Sequence, residues 1–417
     1  MRGKTNLPKG IIYKDPDVDE TTLHWTPNAL PISDNLIKAL QFGDKIVALG
    51  DSGNIAISED GLYWACRKIG DYKFADMIIV DDTCIIVGSN KTEDKGVITK
   101  SQDLVNWDTK DNYLWDLQVS SYQYTAAKQR LLTIAHTGTT FILIGQCEYS
   151  SGSVGVFVFA SDDLYNFSTG ISTGTAFGTY GQTGPVYESI WANNRLILYN
   201  KRSAVVTVTA DGKKVDYVSI GSSPSGTRML FVNGTFLRTE YSHGSSSSAN
   251  PYHYHTARTS VSGLNWSQIC EITEPYAGTV VENLPLYHKA IYSNGKYLLF
   301  SDYNLLQLDD IYDYNGQTNY TVVVPGIKIS NVMQLQNRII CVCEGGVIVT
   351  ADMEIGDREL TVLPQAMDNT LYIKKTDNVR KLLVKAVTSD IDADIKSENI
   401  KAGINILGVT GTYESGV

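Results

Sequence analysis

One ordered set of signals returns about every 49 residues along this chain, and such a period limits the fold more than any other feature. Each unit opens with a short apolar run that ends in a polar or glycine turn, as in LIKALQFG (36–43), FADMIIVD (74–81) and ISNVMQLQN (329–337). A second run follows at once and is apolar almost throughout, as in DKIVALG, DTCIIVG and NRIICVC. Continuous apolar runs of strand length suit strands covered on both faces. A third strand then leads into a turn beginning at Ser58, Ser101, Ser161, Thr209, Ser260, Leu308 or Thr350. With an outer strand after the turn, each unit supplies four strands, and four-stranded units repeated radially make a β-propeller. The chain is therefore expected to be all-β. Residues 25–363 are expected to form a seven-bladed β-propeller, closed by a strand around Trp25 that pairs near residues 346–352. An N-terminal arm (1–24), a linker (364–370) and a small C-terminal α/β or β module (371–417) complete the expected organisation.

The turns carry a motif of their own. Ser58-x-Asp60-Gly61-x-x-Trp64 recurs as Ser101-x-Asp103 with Trp107, as Ser161-x-Asp163 with Phe167, and more loosely as Ser260 with Trp266. Short hydroxyl and carboxylate side chains bond the backbone N–H groups of a turn, and glycine tolerates positive φ. The aromatic residue then packs between blades. Ser58, Asp60, Trp64, Ser101, Asp103, Trp107, Asp163, Phe167 and Trp266 are thus expected to hold the fold rather than to catalyse. The motif resembles the Asp-box of sialidases and other BNR-type propellers, one residue shorter. Sialidase chemistry is not implied, because arginine is sparse and the family's N-terminal RIP segment is missing. HExxH and phosphate-binding glycine loops are absent as well.

Length variation falls on one side of the repeat. Turns within the first and third hairpins of each unit stay short, whereas residues 108–130, 146–154, 168–186 and 241–254 are long. The last four segments are rich in tyrosine, of which the chain has 25 against 10 Phe and 6 Trp. Tyrosine offers a flat apolar face and a hydroxyl at low entropic cost, and variable loops on a rigid scaffold commonly carry binding. Tyr113, Trp115, Tyr180, Tyr241, Tyr252 and Tyr254 are the expected ligand-binding face. Within the same insertion His253 and His255 would share a face if extended and could chelate a metal, with His243 as a third ligand. Carboxylates are scarce in the neighbouring sequence, so neither a metal nor another cofactor is expected.

A net charge of −10 without a Lys/Arg run argues against nucleic acid. No stretch reaches the ~18 apolar residues of a membrane span, and the first ten residues lack a signal-peptide core. The six cysteines form no CxxC pair and are expected to be buried thiols made in a reducing compartment. The C-terminal segment Glu398-Asn399-Ile400-Lys401, followed by Ile406-Leu407-Gly408-Val409-Thr410-Gly411-Thr412, resembles the ENIKxGVxILGVTGT module of phage and prophage structural proteins. That resemblance implies a virion protein assembled in bacterial cytoplasm, a homo-oligomer bound to other virion proteins. Its expected role is a tail-tip or fibre protein that recognises a host surface glycan or protein. A capsid, neck or tail decoration protein is the alternative, and a glycan-cleaving propeller the second alternative.

Overall fold

A computed structural model of the chain contains seven four-stranded antiparallel sheets. It describes residues 23 and 25–353, apart from 93–94, 114–125, 150–153, 165, 168–170, 173–187, 200–203, 220–225, 244–251, 276–285 and 316–319, with four short segments beyond. Blade 1 is Leu36–Phe42, Lys45–Gly50, Asn54–Ser58 and Ala65–Lys68. Blade 2 is Tyr72–Val80, Thr83–Asn90, Gly96–Ser101 and Asp108–Tyr113. Blade 3 is Ala126–His136, Phe141–Tyr149, Val154–Ser161 and Ile171–Ser172. Blade 4 is Glu188–Ala192, Arg195–Tyr199, Ala204–Thr209 and Val215–Ser219. Blade 5 is Gly226–Val232, Thr235–His243, Tyr252–Ser260 and Ser267–Pro275. Blade 6 is Lys289–Ser293, Lys296–Phe300, Asn304–Leu308 and Thr321–Val322. Blade 7 takes Ile329–Leu335, Arg338–Cys343 and Val347–Asp352 from the end of the repeat and Thr26–Ala29 from its start.

That last pairing closes the ring. Thr26 opposes Thr350 and Ala29 opposes Val347, so the outermost strand of blade 7 comes from the other end of the chain, as the sequence reading expects. The propeller forms one compact unit, Trp25–Ala351. Outside it, Arg358–Leu360 pairs in parallel with Leu382–Val384, and Asn405–Ile406 pairs with Val409–Thr410. The rest of the C-terminal module, the linker and the N-terminal arm apart from Leu23 lie outside the described residues.

The apolar second strands are explained by blade stacking. Alternate residues of a strand point to opposite faces, and here both faces are covered. Ile46 and Ala48 pack with Ile340 and Val342 of blade 7, while Val47 and Leu49 pack with Cys84 and Ile86 of blade 2. Ile85 and Val87 then face blade 3, beside Leu131 and Leu143. The first hairpins are tight because their turn residues accept positive φ. Asp81–Asp82, Asn193–Asn194 and Asn233–Gly234 do so at both central positions, as a two-residue primed turn demands.

The boxes behave as the sequence predicts. Ser58 Oγ accepts from Gly61 N at 2.8 Å, and Asp60 Oδ1 accepts from Leu62 N at 2.8 Å and Tyr63 N at 3.0 Å. Burial alone would raise the Asp60 carboxyl, but the Tyr63 and Leu62 amides, the Ser58 hydroxyl and Arg338 together hold it below its ordinary value. Ser101 and Asp103 repeat the pattern on Leu104 N, Val105 N and Asn106 N, and these amides with the Asn106 side chain hold Asp103 lower still. Ser161 and Asp163 do the same for Leu164 N and Asn166 N. The aromatic residue always meets the preceding blade. Trp64 packs on Ile340 and Val342, Trp107 on Val47 and Leu49, Phe167 on Ile85 and Val87, and Trp266 on Ile197.

The fourth box position follows one geometric rule with two solutions. Gly61 and Gly263 sit at φ +76° and +75°, where an added Cβ would meet Ile340 or Ile197 of the preceding blade. Leu104 and Leu164 hold the same left-handed conformation, at φ 60° and 66°. An L-residue there costs roughly 1–2 kcal/mol. Both leucines are buried in the gap to the preceding blade, and burying a leucine side chain is worth about 1.5–3 kcal/mol, which offsets the strain.

Candidate functional site

The first strands of the blades bring their polar residues together around the axis. Lys38, Asp76 and Thr133 each follow a β-bulge in the first strand of blades 1, 2 and 3. Bulges of this kind re-aim a side chain. Lys38 Nζ lies 2.7 Å from Asp76 Oδ1, which also accepts from Met77 N at 2.8 Å. Asp76 Oδ2 accepts from Ile134 N at 3.1 Å and from the Thr133 hydroxyl, which in turn bonds Ser189 of blade 4. One buried carboxylate thus ties four blades together.

Beside this chain of bonds lies an open cavity of about 510 Å³. Its apolar wall includes Ile78, Ile134, Trp191 and Leu196, and Lys38, Asp76, Asp81, His136 and Ser189 are its polar groups. It reaches the turn at Asp81, hence the face that carries the boxes. The volume lies in the range of small-molecule sites. Asp76 is nonetheless poorly placed for proton transfer, because both its oxygens are engaged in holding the blades. Two further hollows of similar size line the boxes of blades 1 and 2 with matching residues, Ser58, Asp60 and Trp64 against Ser101, Asp103 and Trp107. Their recurrence with the repeat marks them as products of the turn.

The expected aromatic face divides. Trp115 and Tyr180 lie outside the described residues. Tyr113 ends a strand opposite Gly96, and Tyr241, Tyr252 and Tyr254 belong to blade 5 strands opposite His255, Pro275 and Thr273. The sequence reading placed these blade 5 residues in a loop of residues 241–254. In the structure the two strands continue to His243 and resume at Tyr252, leaving only 244–251 between them. Residues 146–154 are likewise mostly strand, because the second and third strands of blade 3 pair out to Glu148 and Val154. Polar, tyrosine-rich composition reads as loop, yet alternation and cross-strand pairing accommodate it in a hairpin.

Of the histidine pair, the side chain of His253 lies outside the described residues, and that of His255 has its own partner. His255 is buried, its Nε2 lies 3.0 Å from the Tyr314 hydroxyl, and burial lowers its pKa to about 4. It is a core residue between blades 5 and 6. Among the described residues no group of three His, Cys, Asp or Glu comes together. The six cysteines are free, as expected, with Cys84, Cys147, Cys341 and Cys343 buried. Burial pushes the Cys84 and Cys147 thiols up to about 12, far from thiolate chemistry.

Sequence reasoning missed one buried charged group. Arg238 is 1% exposed, stacks over Trp266 at 4.8 Å and donates from Nη2 to Glu240 Oε2 at 3.2 Å. Its Nε is 3.0 Å from Glu240 Oε1 but off the hydrogen-bonding direction, so that contact is one of charge alone. Burial pulls the guanidinium pKa down, and the Glu240 charge opposes the shift. The available signal was GTFLRTE, the second strand of blade 5, which breaks the apolar pattern of its counterparts.

No family model matches the chain. No curated protein matches it either. Among solved structures, YCF48 bound to D1 peptide is 12% identical and aligns over 84% of this chain and 100% of its own, with a TM-score of 0.50. A catalytically inactive virginiamycin B lyase from Staphylococcus aureus, with quinupristin, is 8% identical over 80% of this chain and 100% of its own, at 0.49. YCF48 from Cyanidioschyzon merolae is 14% identical over 79% and 98%, at 0.46. At such identities the likeness is one of fold.

Proposed function

We propose that this chain is a bacteriophage virion protein that binds the host cell surface through the face opposite its boxes. One observation carries the reading. The second hairpins of blades 3 and 5 are built from strands of 8–9 residues, against 5–6 in blades 1, 6 and 7. The extra length carries Tyr149, Tyr241, Tyr252 and Tyr254 away from the boxes. Aromatic anchors commonly dominate binding energy at an interface. The resemblance of residues 398–412 to phage structural modules supports the virion setting, with residues 371–417 attaching the protein to its own kind or to the particle. Engagement of Asp76 by Lys38, Thr133 and two amides favours binding over glycan cleavage, which needs a free pair of carboxyl groups.

Decoration of the particle is the second reading, and it has its own observation. Tyr63, Val105, Val261 and Tyr312 project from the box turns at 79%, 54%, 65% and 54% exposure, apolar tips on the opposite face. Particles carrying Trp115→Ala and Tyr252→Ala separate the two. Host binding predicts adsorption weakened about tenfold or more, the equivalent of roughly 1.4 kcal/mol, with copy number unchanged. Unchanged adsorption, together with loss of the protein from particles when Tyr63 and Val105 become serine, would establish decoration instead.

A further inference from the structure

The gap between blades 4 and 5 gathers buried polar atoms that share one chemistry. Arg238 and Glu240 lie two residues apart on one strand, with Arg258 opposite Arg238 and Thr227 opposite Glu240 on the strands beside it. Directly opposed residues of antiparallel strands share a face of the sheet. This face meets blade 4, because Arg238 stacks on Trp266 and Trp266 packs with Ile197. Thr207 opposes Ile197 and so enters the same gap from blade 4. Among the described residues, Thr207 Oγ1, Thr227 Oγ1, Arg238 Nη1, Arg258 Nε and Trp266 Nε1 are all buried without a hydrogen-bond partner. Glu240 Oε1 has no hydrogen bond either, but it lies against Arg238 Nε at 3.0 Å.

Buried polar atoms are nearly always paired, so five orphans in one gap point to a ligand. Every one of the five can donate, and a guanidinium has no acceptor at all. Charge is out of balance as well. Two guanidinium groups face the Glu240 carboxylate: Arg238 in direct contact, and the partly exposed Arg258 with Nε 3.9 Å from Oε2. Arg238 is 1% exposed, and a buried charge is costly unless it is matched. Water would accept hydrogen bonds here but leave the excess charge, whereas an anion answers both. We propose that the gap between blades 4 and 5 binds a small monovalent anion of the chloride class, with Arg238 Nη1 as its principal donor. Charge-assisted bonds to such an ion are strong, and it would bolt two neighbouring blades together. The site stands independently of the host-binding reading.

The test uses the full chain dialysed into sodium gluconate, with chloride or bromide exchanged in at constant ionic strength. Above the dissociation constant, Tm should rise by about 2 °C for each tenfold increase in chloride. Arg238→Met should abolish that rise, and Arg67→Met, in the fourth strand of blade 1, should leave it intact. Arg238→Met also strips Glu240 of its nearer partner, so Arg238→Met combined with Glu240→Leu carries the test if the single variant is unfolded. Crystals grown with bromide as the only halide should give one anomalous peak per chain, in contact with Arg238 Nη1. The site is overturned by a Tm indifferent to halide, by a rise that survives loss of Arg238, or by bromide crystals that show only water at Nη1.

Discussion

Trp64 and Trp107 hold the same place in successive boxes and differ in a single hydrogen bond. Trp64 Nε1 donates to Gly61 O at 3.0 Å, whereas Trp107 Nε1 is buried without a partner. A buried donor left unsatisfied costs about 1–3 kcal/mol, and a made hydrogen bond contributes about 1 kcal/mol. Trp64→Phe should therefore be the more destabilising by at least about 1 kcal/mol, because it breaks a bond where Trp107→Phe removes an orphan. Urea unfolding of the two variants measures the difference, and equal losses or the reverse order would refute the assignment. Truncation to alanine should cost about 3 kcal/mol at either site, toward the low end for large aromatics because both rings are only half-buried. The box was legible in the sequence at this scale, since its bonds run between residues two or three apart. The partner of each aromatic ring was not, because it lies one blade away.

Blade 5 is the element whose sequence departs most from the repeat, and its hydrogen bonds account for part of the departure. His255 sits against Tyr314, and Tyr287 packs edge-on to the same ring at 5.9 Å. With its folded pKa lowered to about 4 from an ordinary 6.5, His255 stays neutral where the unfolded chain takes up a proton. Stability from this residue is thus fully present above pH 6.5 and falls as pH drops toward 4, by at most about 3 kcal/mol. Chemical denaturation between pH 7 and 4 should show that slope, and His255→Leu should flatten it while lowering stability at pH 7. A slope identical in both proteins would place the titration elsewhere. The strands Thr235–His243 and Tyr252–Ser260 also show why loop composition misled the sequence reading. Polar, aromatic and histidine-rich segments pair as well as apolar ones once a third strand, Ser267–Pro275, lies alongside.

Ring closure belongs to the molecule as a whole. Thr26–Ala29 pairs with the last blade's Val347–Thr350, and Asn28 Nδ2 also donates to Leu62 O of blade 1 at 2.9 Å, so its removal leaves blade 7 with three strands and an open edge. Leu30 N also donates to Gly346 O at 2.9 Å, continuing the seam. A chain beginning at residue 30 should melt well below the parent and lose cooperativity, whereas one beginning at residue 21 should melt with it. Differential scanning calorimetry distinguishes the two, and equal melting of all three chains would show that the seam contributes nothing to stability. The axial bonds from Lys38 to Asp76, Thr133 and Ser189 add a second tie, across blades 1–4.

Periodicity alone determined that the chain makes seven four-stranded units, where their turns fall and which strands are buried on both faces. Those properties depend on residues close in sequence and on alternation of period two, which a linear pattern carries in full. Pairing between distant segments was decided only in three dimensions. Asp76 became a blade tie rather than a free acid because Lys38, Thr133 and Ile134 converge on it from two other blades. Arg258 came level with Arg238 only through the register of the blade 5 strands. Register follows from which face must be buried and how each turn is built, so it is a property of the packed sheet rather than of any one segment.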